Sequence, residues 1–126
     1  MDQPVFRLSR VGVIMLGATD LARSVAFYGD KLGLSLQAQA EGFAFFDGGG
    51  VTLALSQPLA RALGEKPGAA QVVFSVEDVR AAYEALHARG ITFSGEPFNA
   101  TGSMWAANFT DPDGHHLAIF GPERRI

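Results

Sequence analysis

The sequence contains no cysteine. Disulfides, thiolate metal sites and cysteine nucleophiles are therefore excluded, and any chemistry must come from oxygen or nitrogen groups or from a cofactor. Long hydrophobic runs are also missing. No stretch approaches the ~20 apolar residues that a membrane helix needs, and the start, Met1 to Arg7, has neither the basic nor the apolar region of a signal peptide. A cytoplasmic location without a membrane partner is the expectation. Clustered positive charge is absent as well: ten Lys and Arg are scattered among thirteen Asp and Glu, for a formal net charge of −3, which argues against nucleic acid as a partner.

What is present suffices for an ordinary core. The chain has 126 residues, 48% of them hydrophobic, with ten phenylalanines and a single tryptophan, Trp105. One domain spanning 1–126 is expected.

The dominant feature is an internal repeat. The stretch from Val13 to Tyr28 lines up with that from Gln71 to Leu86 at an offset of 58, and each reaches a helix-ending glycine, Gly33 or Gly90. Farther on, Phe45 to Pro58 matches Phe109 to Pro122 at an offset of 64, the second copy carrying a longer insert. Each copy opens with an apolar run that reads as a strand, Val11 to Gly17 and Gln71 to Val76. An aspartate suited to capping a helix follows, Asp20 and Asp78. Val79, Ala82, Tyr83 and Leu86 have the spacing of an amphipathic helix, as do Leu21, Val25 and Tyr28. Three short strands complete each copy: Leu34 to Ala40, Phe43 to Phe46 and Val51 to Ser56, then Ile91 to Ser94, Met104 to Phe109 and His116 to Phe120. Asp111-Pro-Asp-Gly114 has the composition of a turn. The organisation expected is α+β: two tandem βαβββ modules at about 10–57 and 71–121, joined by a linker at 58–70. Their curved mixed sheets surround a cavity, with the helices on the outer face.

Strand alternation nominates the cavity lining. Val13 and Met15, Thr52, Ala54 and Ser56, Gln71, Val73 and Ser75, and His116, Ala118 and Phe120 are expected to point inward. For the third strands both parities stay open, Phe43 and Phe45 or Ala44 and Phe46 in one module, Trp105, Ala107 and Phe109 or Ala106 and Asn108 in the other. The ligand-binding candidates are Met15, Phe45, Ser56, Gln71, Trp105, Asn108 and His116. Trp105 is included because it follows a glycine-containing insert, 95–104, of the kind that lids a pocket. Gly48 to Gly50 reads as a hairpin turn, since it leads into a strand and lacks the helix N-terminus of a phosphate cradle.

The strings Asp20-Leu-Ala-Arg-Ser-Val-Ala-Phe-Tyr28, Leu32-Gly-Leu34 and Asp111-Pro-Asp-Gly114 resemble the vicinal oxygen chelate superfamily, the glyoxalase, bleomycin resistance and dioxygenase group, from about residue 10 to 121. The resemblance implies metal ligands on the first and last strand of each module. Those positions hold Val13, Ala54, Gln71 and Ala118, and only Gln71 has a donor atom. It also implies a homodimer. The expectation is a protein with a degenerate metal site and no cofactor that binds or sequesters a small hydrophobic or aromatic molecule. The alternative is a lyase- or dioxygenase-type enzyme using groups at unusual positions, with His116, Gln71, Asn108 or Glu41 as candidates.

Overall fold

The computed structural model describes residues 11–63 and 71–124. The elements in chain order are β1 (Val13–Gly17), α1 (Leu21–Ala26) continued by a π turn (Phe27–Lys31), β2 (Leu36–Ala40), β3 (Phe43–Asp47), β4 (Thr52–Ser56), α2 (Gln57–Leu63), β5 (Gln71–Ser75), α3 (Val79–Ala88), β6 (Phe98–Thr101), β7 (Met104–Thr110) and β8 (His116–Pro122). They build two four-stranded mixed sheets, ordered β1-β4-β3-β2 and β5-β8-β7-β6, with β1–β4 and β5–β8 parallel. The architecture is the α+β pair of modules expected, and neither sheet closes on itself.

The repeat is visible in the registers. Val13 lies opposite Thr52 and Met15 opposite Ala54, while Gln71 lies opposite His116 and Val73 opposite Ala118, the same pairs carried over by the two sequence offsets. The third strands correct the sequence match. Asp47 pairs with Thr52 and Thr110 with His116, so β3 and β7 correspond at an offset one residue shorter than that of β4 and β8. The turn from Asp111 to His115 is one residue longer than that from Gly48 to Val51, and Phe46, not Phe45, is the counterpart of Phe109.

Two further expectations need correction. Ile91 to Ser94 is not a strand: Phe93 makes one isolated bridge to Phe109, and the edge strand forms later, at Phe98–Thr101, inside the segment expected to be a loop. Gly95 and Pro97 stand between, and proline has no N–H to extend a ladder. The expected linker, 58–70, begins inside helix α2; the rest of it, 64–70, lies outside the described residues. Ser56 Oγ accepts a hydrogen bond from Leu59 N–H at 3.0 Å and so starts that helix. Gly17 lets it settle, because a Cβ there would meet Ala60 Cα at 3.0 Å.

The aspartate caps form as expected. Asp20 accepts from Arg23 N–H, and Asp78 from Arg80 and Ala81 N–H. The first helix then widens: Leu32 N–H reaches the Phe27 carbonyl, five residues back, at 3.0 Å. Helix-side residues of both sheets feed one core, including Leu53, Leu55 and Phe46 from the first and Leu117, Ile119 and Phe109 from the second. The end of the first helix lies against both sheets, with the Tyr28 ring 6.1 Å from Phe46 and the Phe27 ring 6.5 Å from Phe109.

A polar clamp joins the modules alongside this core. The fully buried Tyr28 donates its hydroxyl to Asp111 at 2.8 Å, and the other Asp111 oxygen accepts the N–H groups of Asp113 and His115, each at 2.9 Å. Asp113 in turn accepts from Thr19, through N–H at 3.1 Å and hydroxyl at 2.6 Å, and from the Ser24 hydroxyl at 3.3 Å. The His115 ring donates through Nε2 to the Gly17 carbonyl at 2.8 Å. Burial, followed by the charges of Asp111 and Asp113, pushes the Tyr28 hydroxyl well above its ordinary pKa of 10.0.

Tyr28→Phe therefore leaves a buried carboxylate oxygen without its donor and is expected to cost about 1–3 kcal/mol in urea unfolding. Folded Tyr28 keeps its proton where the unfolded chain loses it, so its stabilisation is complete below the ordinary value of 10.0 and declines as pH rises past it. Unfolding curves for the wild type and Tyr28→Phe should converge above that pH; a constant gap would show that the buried phenol is not the coupled group.

Candidate functional site

The face of each sheet turned away from the core follows directly from the registers. In the first module Met15, Ala54 and Phe45 form one row across three strands, with Gly17, Ser56 and Phe43 in the next. Val13 and Met15 are 49% and 43% exposed, and the Phe43 and Phe45 rings lie nearly parallel, 11° apart, at 6.2 Å. These two rows are apolar and aromatic, and the row beside them places Thr52 and Asp47 next to Val13. The candidate Ser56 is buried, and its hydroxyl is already occupied in starting α2.

The corresponding face of the second module has Gln71 in place of Val13, His116 in place of Thr52 and Asn108 in place of Phe45. Gln71, His116 and Thr110 form one row, and Val73, Ala118 and Asn108 the next. Gln71 Nε2 donates to Asn108 Oδ1 at 3.3 Å. His116 is exposed beside them, and Val73 is 50% exposed. Alternation around the clamp sets this placement: the neighbouring His115 is held in the clamp, so His116 falls on the open side of β8.

Five of the seven candidates, Met15, Phe45, Gln71, Asn108 and His116, thus share the two open faces with Ser56. Trp105 does not. It sits opposite Gly121 on the same side of β7 as Ala107 and Phe109, and packs against the core. The open parity of the third strands resolves to Phe43 and Phe45 in one module and to Ala106 and Asn108 in the other. Glu41 is exposed in the turn between β2 and β3. Sequence reasoning missed the clamp residues Thr19, Ser24 and His115, whose partners lie 83 or more residues away along the chain for every bond across the modules.

The four positions that the family resemblance nominates for a metal, Val13, Ala54, Gln71 and Ala118, all lie on the open faces. Between them they offer a single carboxamide, which does not fit a divalent ion requiring three or more donors. Among the described residues no group of three or more His, Asp or Glu is placed to hold a metal ion. No helix of the described residues is long and apolar enough to cross a membrane.

Comparison with known proteins agrees with this architecture. The sequence model of the Glyoxalase/Bleomycin resistance protein/Dioxygenase superfamily matches residues 10–119, and the chain belongs to that superfamily. It is 34% identical to the uncharacterized protein YraH of Bacillus subtilis, over 85% of this chain and 94% of that one. Among solved structures it resembles a glyoxalase/bleomycin resistance protein/dioxygenase from Nocardioides, at 29% identity and a TM-score of 0.77, covering 95% of this chain and 87% of that one. It also resembles TnmS3, an antibiotic binding protein from Streptomyces sp. CB03234, at 25% identity and a TM-score of 0.76, covering 94% of this chain and all of that one, 100%.

Because Trp105 belongs to the core, Trp105→Phe is expected to lower the urea midpoint while changing the affinity of any open-face ligand by less than about twofold. A loss of ten times or more with the midpoint unchanged would place Trp105 in the site.

Proposed function

We propose that this protein binds and sequesters a small hydrophobic or aromatic molecule on the open faces of its sheets, without a catalytic metal and as a homodimer. One observation carries the reading: the half-exposed Val13, Met15 and Val73 lie on sheet faces that also hold the paired Phe43 and Phe45 rings and the Gln71–Asn108 hydrogen bond. Apolar surface with a few convergent polar groups suits an organic ligand held by shape and one or two hydrogen bonds. The likeness to an antibiotic binding protein supports the same class of ligand. Exposed apolar residues on a sheet face favour burial against a second surface, and a second copy supplies one with the same composition.

The Gln71, Asn108 and His116 grouping favours a second reading, an enzyme in which His116 moves a proton and the two carboxamides orient the substrate. The two readings differ in what His116→Ala does. Under sequestration it changes affinity; under catalysis it abolishes turnover while binding persists.

Protein purified without chelator should contain less than stoichiometric zinc, iron, manganese or nickel by elemental analysis; a full equivalent of any of them sinks the metal-free reading. Calorimetric titration with planar aromatic antibiotics should give binding that weakens about tenfold in Asn108→Ala, the loss of about one good hydrogen bond. Light scattering should report twice the mass of one chain for the wild type and a single chain for the Met15→Glu, Val73→Glu double variant.

A further inference from the structure

A cleft of about 420 Å³ lies on the other side of the first sheet, between α1 and β2, lined by Val25, Gly29, Asp30, Leu36, Gln39 and Phe46. It belongs to the helix side and is separate from the open faces, on which Phe46 and Leu36 do not appear.

The second module shows what such a place normally contains. By the helix offset, Val25 corresponds to Tyr83 and Gly29 to His87. By the strand registers, Leu36 opposite Phe46 corresponds to Phe93 bridging Phe109. In the second module these three positions fill the space with rings: Tyr83 packs on Phe93 at 4.6 Å and stacks on His87 at 6.0 Å with 21° between planes. In the first module the same three positions carry a valine, a glycine and a leucine, and the space is open. The backbone does not demand this. Gly29 has no positive φ, and a Cβ there would meet only the Phe46 ring, at an ordinary 3.5 Å.

We propose that this cleft is a second ligand site, which takes a planar aromatic amine from solution in the place that Tyr83, His87 and Phe93 fill in the other module. The flat apolar walls, Val25, Leu36 and Phe46, accept a ring. Asp30 lies in the π turn that ends the first helix, is exposed, and forms none of the ion pairs among the described residues. Its carboxylate selects a cation, and the Gln39 carboxamide beside the cleft offers a further hydrogen bond. Ring burial in a preformed apolar cleft provides the affinity, and the charge provides the preference.

The test uses tryptamine as the probe and indole-3-acetate, the same ring with opposite charge, as its control, each titrated calorimetrically into the full chain. Tryptamine should bind once per chain and the acetate at least about tenfold more weakly. Val25→Tyr with Gly29→His, which installs the second module's own side chains, should abolish tryptamine binding while circular dichroism stays that of the wild type. Asp30→Asn, at an exposed position, should weaken tryptamine about fivefold and leave the acetate unchanged or tighter, and this arm stands even if the double variant misfolds. The proposal is overturned if the wild type does not bind tryptamine at millimolar concentration, if the folded double variant binds it as the wild type does, or if Asp30→Asn leaves the preference intact. A change of oligomeric state in the double variant, with no tryptamine bound by the wild type, gives the cleft to a second copy and also overturns it.

Discussion

The buried Asp111 carboxylate is the constraint around which the two modules are arranged. It is 5% exposed, and a charge that far from water is tolerable only when its lone pairs are filled. Two backbone N–H groups of its own turn and the Tyr28 hydroxyl of the other module do this. The turn supplies the local bonds and the far module supplies the third, so satisfying the charge and docking the modules are one event. Asp113, two residues on, extends the same logic to the start of α1 through Thr19 and Ser24.

From this clamp the functional surface follows. Fixing His115 against the Gly17 carbonyl fixes the first residue of β8, and β8 is the inner strand whose alternate side chains, His116 and Ala118, face outward from the core. On the other side, Phe27 and Tyr28 are drawn into the shared core by the widened end of α1. The open faces then differ by module, with stacked aromatic rings in the first, near Thr52 and Asp47, and carboxamide and imidazole groups in the second.

Much of this was legible in the sequence because the repeat gave two readings of each strand. The parallel pairs β1–β4 and β5–β8 sit at matching places in both copies, and their placement and facing were recoverable from Val13 to Gly17 and from His116 to Phe120 because each copy supported the other. The third strands were not, because Phe43-Ala-Phe-Phe46 and Trp105-Ala-Ala-Asn108 are apolar at nearly every position and alternation has no purchase there. An extra residue in a turn then moved the match between Phe45 and Phe109 by one, which reverses every side chain on the strand. Trp105 was nominated from the insert that precedes it, which carries no information on facing; its side chain packs against the core. The edge strand β6 was hidden because its residues, Phe98 to Thr101, are all exposed and owe their conformation to β7, not to a pattern of their own. The clamp was beyond reach, since nothing local marks Tyr28 and Asp111 as partners.

The longer turn of the second module has a bearing on how such a chain can have come about. A tandem duplication begins with two identical halves, either of which can stand in for the other. Here the acid pair resides in the turn of one half and its hydroxyl partners in and just before the first helix of the other, while Asp47, at the end of β3, accepts a bond from Gly49 N–H two residues on. Lock and key have been assigned to different copies. A chain assembled from two first modules would have keys and no lock, and one from two second modules a lock and no key, so the two halves are no longer interchangeable.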